Sequence, residues 1–168
     1  QLKYWKRDGV KTIVNLRGGF DAAFYVLERE ACERLGLDAV DFTITSRAVP
    51  TRAQVLGAKE MFQTIKYPAL MHCKSGADRA GIMSVLYRHF HLGDSIRDAL
   101  NELGLRTLHV KQGKTGVLDY VFERYLEEAE PKGISFLDWV MSDAYDPKAI
   151  KADFQEAWWG TLITDRLL

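Results

Sequence analysis

The stretch Leu70-Met71-His72-Cys73-Lys74-Ser75-Gly76-Ala77-Asp78-Arg79-Ala80-Gly81 constrains this chain more than any other. Pro68-Ala69-Leu70-Met71 is a short apolar run after a proline, which reads as a buried strand. Past Arg79, Ile82, Val85, Leu86 and Phe90 recur at helical spacing, so a helix is expected over Ala80 to Phe90. A strand therefore feeds a helix through a tight loop. The backbone N–H groups of such a loop, here Lys74, Ser75, Gly76, Ala77, Asp78 and Arg79, lack carbonyl partners. The helix N-terminus adds partial positive charge, and the turn becomes an anion cradle.

Cys73 and Arg79 stand at the two ends of that cradle, with Gly76 supplying the backbone freedom that closure needs. This Cys-x5-Arg span lets the loop curl round one tetrahedral phosphate, whose oxygens the planar guanidinium can hold two at a time. The same positive surroundings lower the pKa of a thiol, so Cys73 is expected to sit largely as thiolate. Nucleophile and clamp form one device, and the expectation is a site that cleaves phosphate esters. A lone cysteine in an apolar setting is more often a small core residue. Arg79 at this spacing, a glycine between and both flanking elements argue against that here.

His72-Cys73, Gly76 and Arg79 match the His-Cys-x-x-Gly-x-x-Arg signature, and the chain resembles the cysteine-dependent protein tyrosine and dual-specificity phosphatase superfamily. With Ile13-Val14-Asn15-Leu16-Arg17-Gly18 early and a helical half after the loop, it looks like the compact bacterial members from about Lys11 to Leu126. A rhodanese-like sulfur-transfer loop generally lacks this pairing of glycine and arginine. The resemblance implies inorganic phosphate or sulfate in the loop, a phosphorylated protein or small phosphate ester as substrate, no cofactor, and a monomer. It also gives His72 the role of orienting the cysteine.

The remaining elements agree with that fold. Val10 to Leu16 alternates as a β-branched strand, and Asp38 to Ile44 gives a second. Ala22 to Leu35 reads as an amphipathic helix, with Ala23, Val26, Leu27, Ala31 and Leu35 on one side and Glu28, Arg29, Glu33 and Arg34 largely opposite. Gly36 ends it, and Thr51 caps a helix running to about Ile65. Strands alternating with helices imply an α/β domain whose mainly parallel sheet is covered by helices on both faces. Beyond the loop, helices are expected over Ile96 to Leu103 and Val117 to Glu128, separated by a polar loop carrying Arg106, His109, Lys111, Gln112 and Lys114. Residues 1–130 are read as the phosphatase domain and 131–168 as a helical C-terminal extension packed on it. The aromatics of that tail, Phe136, Trp139, Tyr145, Phe154, Trp158 and Trp159, admit either a packing role or a partner surface.

Charge narrows the partners. Lys plus Arg and Asp plus Glu each number 23, so no global field points to nucleic acid or a membrane. No run is long and apolar enough for a membrane span. Two cysteines make no disulfide framework and fit a reducing compartment, so a cytoplasmic protein is expected. Cys32 is read as inert core, with a regulatory bridge to Cys73 as the alternative. No metal-ligand spacing surrounds His72, and no metal is expected.

Three departures from the superfamily pattern bear on the chemistry. The superfamily usually supplies its general acid as an aspartate from a loop upstream of the cysteine, but here that loop, Thr45-Ser46-Arg47-Ala48-Val49-Pro50, holds no carboxylate. Some relatives carry an aspartate inside the cradle, so Asp78 is the candidate acid and later base. The competing reading is that it caps the following helix. Asp41, a few residues before the loop, is the other carboxylate in range. Secondly, Ala80 stands where the superfamily has a serine or threonine that stabilises the departing thiolate. Thirdly, inositide-cleaving relatives often place lysine before the cradle aspartate, and this chain has Ala77. Aryl phosphates such as phosphotyrosine are therefore the expected substrates. Phosphoinositides or inositol polyphosphates gripped by a rim of Lys74, Arg17, Arg47, Lys111 and Lys114 are the enzyme alternative, and a phosphate-binding pseudophosphatase is the rival.

Overall fold

The computed structural model describes residues 1–103 and 114–156. Its centre is β1 (Thr12–Asn15), which pairs in parallel with β2 (Asp38–Asp41) on one side and β3 (Ala69–His72) on the other. Parallel neighbours need crossovers. These are α2 (Ala23–Leu35) between β1 and β2, and α3 (Arg52–Thr64) between β2 and β3. The expected α/β architecture, a parallel sheet with helices on both faces, is what the chain forms.

Register divides the side chains cleanly. Ile13 stands opposite Ala39 and Leu70, and Val14 opposite Val40 and Met71. The first row packs with Val10, Cys32, Leu35 and Leu37 beneath α1 (Leu2–Arg7) and α2. The second joins a much larger cluster with Phe62 of α3, Leu86 of α4 (Asp78–Tyr87) and Phe122 of α6 (Val117–Glu128). Side chains alternate along a strand, so these clusters occupy opposite faces.

Local signals set the helix ends. Thr51 caps α3 through a reciprocal box: its hydroxyl oxygen accepts from the Gln54 N–H at 3.2 Å, and Gln54 Oε1 accepts from the Thr51 N–H at 2.9 Å. Gly36 takes the left-handed conformation, φ +61°, to end α2. The strands are shorter than expected, although Val10 and Leu16 beyond the ends of β1 are still buried. After Tyr87 the chain loosens into a single π-turn, Arg88–Leu92, so Phe90 lies past α4. Ser95 caps a short α5 (Ile96–Ala99), which continues as the 3-10 turn Leu100–Glu102.

Residues from the tail join the larger cluster. In α7 (Phe136–Met141), Phe136, Trp139 and Val140 are buried with Tyr145 and Ile150. Arg52, at the start of α3, fastens this segment. Its Nε donates to the Val140 carbonyl at 2.9 Å, and its Nη2 donates to those of Ser142 and Tyr145, both at 2.7 Å. The Tyr145 hydroxyl returns a bond to the Pro50 carbonyl at 2.6 Å. The polar loop expected from Leu105, up to residue 113, and Trp158 and Trp159 lie outside the described residues.

One helix departs from its expected orientation. Val26 and Leu27 of α2 are 47% and 62% exposed, whereas Glu28 turns inward to His72. The reason is the third register row. Asn15 stands opposite Asp41 and His72, so the strand ends present polar groups to the helix that crosses them. A helix docked there must offer matching polar side chains.

Candidate active site

β3 ends at His72, and the next residue, Cys73, packs against the larger cluster. The loop then runs through exposed Lys74, Ser75 and Gly76 to buried Ala77, and α4 begins at Asp78. Gly76 has φ +73°, a conformation other residues rarely adopt, although a Cβ there would meet nothing. Arg79 is half-buried in the first turn of α4. Sequence-adjacent Cys73, Gly76 and Arg79 are thus folded into one curl at the C-terminal edge of the sheet, where open α/β sheets place their sites.

The curl acts on the sulfur. Burial alone pushes the Cys73 thiol up. Backbone N–H groups of Ala80, Ser75 and Gly76 bond to it, and the Arg79 charge adds to them. These outweigh burial and bring the thiol below its ordinary value. Ala80, which offers no hydroxyl, still contributes its main-chain N–H.

Cys32 meets the opposite fate. It is buried in the smaller cluster, and burial followed by the Glu28 charge pushes its thiol up. The two cysteines belong to clusters on opposite faces of the sheet. That arrangement favours the inert-core reading of Cys32 over a bridge to Cys73.

The other expected site residues fall differently. Asp78 opens α4 at its positive end, while the cap position belongs to Ala77, which makes no side-chain cap. Asp41 has three partners: Asn15 Nδ2 donates to its Oδ1 at 3.1 Å, the Tyr25 hydroxyl donates to its Oδ2 at 2.8 Å, and Arg29 lies at 3.6 Å. Arg17, expected at a basic rim, stacks on an aromatic ring. Its guanidinium lies over the Phe24 ring, 3.7 Å from the centroid, and its N–H donates to Asn15 Oδ1 at 2.9 Å. Arg47 is exposed in the turn after β2. His72 pairs with Glu28, its Nε2 3.0 Å from Oε2.

That partner was not singled out from the sequence. The available signal was Tyr25, Glu28 and Arg29 at i, i+3 and i+4, one face of α2, opposite strands that all end in polar residues. Beside the pair a cleft of about 860 Å³ opens between α1, α2 and β3, with Trp5, Leu27, Arg34, His72 and Cys73 in its walls.

Residues 2–117 match the family described as "DSP-PTPase phosphatase fused to NAD+ Kinase", more than half of the chain. The chain belongs to that dual-specificity phosphatase family. No curated protein sequence is a significant match. Among solved structures, this dual-specificity phosphatase chain is similar to TpbA of P. aeruginosa, a cysteine-to-serine variant in complex with phosphotyrosine. That likeness has 21% identity and TM-score 0.56, and covers 84% of this chain and 79% of that one. Tk-PTP in a glycine-to-alanine mutant form gives 21% identity and TM-score 0.55 over 74% of this chain and 84% of that one. Kinase associated phosphatase, with its catalytic-site cysteine replaced by serine, gives 14% identity and TM-score 0.54 over 75% and 76%. At these identities the likeness establishes the phosphatase fold. Among the described residues of the phosphatase chain, no helix is long and apolar enough to cross a membrane.

Proposed function

We propose that this chain hydrolyses phosphate monoesters through a cysteinyl-phosphate intermediate on Cys73, with phosphotyrosine and other aryl phosphates as preferred substrates. The observation that carries the reading is the curl itself, in which the main-chain N–H groups of Ser75, Gly76 and Ala80 bond to the Cys73 sulfur and Arg79 stands in the first turn of α4. In the first step the thiolate attacks phosphorus, the ester P–O bond breaks, and the leaving oxygen takes a proton from the Asp78 carboxyl group. Arg79 and the loop N–H groups of residues 74–79 hold the equatorial oxygens. In the second step water attacks phosphorus and gives its proton to the Asp78 carboxylate. The P–S bond breaks, returning the thiolate and releasing inorganic phosphate.

Substrate preference follows from the acid. With Asp41 held by three partners and no carboxylate in the loop after β2, proton donation falls to a single cradle residue. A phenol, with a pKa of about 10, leaves with less help than an alkyl alcohol. The phosphotyrosine bound to TpbA is consistent with this choice. Arg17, committed to Phe24, weakens the case for a polyphosphorylated ligand.

Turnover of an aryl phosphate by the native chain, falling at least about 10³-fold in Cys73→Ser, is the expected result. Ala80 favours one rival: without a hydroxyl to assist the departing thiolate, the second step slows and the cradle holds phosphate. Tight phosphopeptide binding with no turnover by the native chain would replace the enzyme by that binding module.

A further inference from the structure

We propose that Glu28 is a positioning residue for the Cys73 loop, acting through His72. The inference rests on Cys73 being the nucleophile. His72 is the last residue of β3, and its carbonyl accepts from the Leu16 N–H at 3.0 Å, which ties its backbone to the central strand. Its ring is tied separately: Nε2 lies 3.0 Å from Glu28 Oε2 and 3.1 Å from Oε1. Both carboxylate oxygens lie within hydrogen-bond distance of Nε2, so the pair ties the ring to α2. The residue immediately before the nucleophile is thereby anchored twice, once by the sheet and once by α2.

Two observations separate this role from simple docking of α2. First, α2 is already fastened without Glu28. Tyr25 bonds to Asp41, Arg29 donates to the Ala39 carbonyl at 2.7 Å, and Cys32 is buried in the core. Secondly, Glu28, His72 and Cys73 all line the cleft of about 860 Å³. An imidazole in a close-packed interior would keep its place by shape alone. Here the neighbouring space lets a released ring swing away, so the carboxylate, not packing, sets its position.

A double-mutant cycle on the full chain tests this, with kcat and KM for an aryl phosphate, inhibition by inorganic phosphate, and the iodoacetate alkylation rate of Cys73 as readouts. Glu28→Leu is expected to lower kcat about tenfold while KM and phosphate inhibition stay within about twofold. Glu28→Gln, whose amide oxygen still accepts from Nε2, restores most of the rate. In a His72→Asn background, Glu28→Leu has no further effect. An undiminished loss in that background overturns the proposal, as does a loss confined to the melting temperature. Should the native chain turn nothing over, the alkylation rate reads the same coupling: a change in Glu28→Leu that vanishes in His72→Asn supports the role, and no change overturns it. Failure of the phosphatase reading and failure of this one are thus distinguished.

Discussion

The two faces of the sheet are built to different standards. One face carries a cluster running from Phe62 through Leu86 and Phe122 to Trp139 and Tyr145, with Tyr145 fastened by Arg52 and Pro50. Among the described residues, the other buries an apolar cluster of Val10, Ile13, Cys32 and Leu37 before giving way to the polar row of Asp41, Asn15 and His72. The end of β3 and the residue that follows it serve both. Cys73 packs on the thick side, and His72, one position earlier, points into the thin polar layer. The comparison teaches a division of labour: the heavy core holds the reactive loop still, while the light layer reaches it through one side chain beside open space.

The largest expected loss from a single truncation lies in stability. Ile82 and Ile13 are equally buried, at 0% and 1% exposure, so equal truncations isolate the surroundings. Ile82→Ala should cost about 4 kcal/mol in urea unfolding and Ile13→Ala about 2 kcal/mol. Equal losses would break the distinction between the faces.

Next is thiol reactivity. At neutral pH, mass spectrometry should find Cys73 alkylated about 100-fold faster than Cys32. The Cys73 rate should rise with pH through a midpoint below the ordinary thiol range. The sign of the stability effect follows. The folded thiol is more acidic than the unfolded one, so its contribution to stability is complete above the unfolded pKa and lost as pH falls through the folded value. Comparable labelling of the two cysteines would remove the asymmetry.

Asp78→Asn sharpens the assignment of the acid. About a 100-fold loss on alkyl phosphates, with little on aryl phosphates, is expected if Asp78 donates the proton. Equal loss on both would indicate a distorted loop. Smallest of all, Asp41→Asn should cost about 1 kcal/mol or less and leave the dependence on leaving group unchanged, because Asp41 ties α2 to the strand ends.

The sequence was most legible where local chemistry dictates shape. Thr51 acts on the turn that follows it and Gly36 and Gly76 act through their own backbone, so the capping of α3, the stop of α2 and the cradle are legible directly. The orientation of α2 was not legible. Its apolar stripe suggested burial of Val26 and Leu27, but the polar strand ends on which it docks come from three separate segments. Likewise the stacking of Arg17 on Phe24 depends on where Phe24 lies in space, which no local pattern announces. The Arg52 contacts reach about 90 residues along the chain, and no pattern in either segment announces them.

The three donors to the Cys73 sulfur are all main-chain groups. They are therefore indifferent to which side chains the loop wears. Ser75 or Ala80 can be exchanged without deleting a single donor, whereas Gly76, with its left-handed φ, cannot be exchanged without bending the path that aims them. Three donors of the site are inherited as a curve of the backbone, while the charge that joins them belongs to the Arg79 side chain and cannot drift.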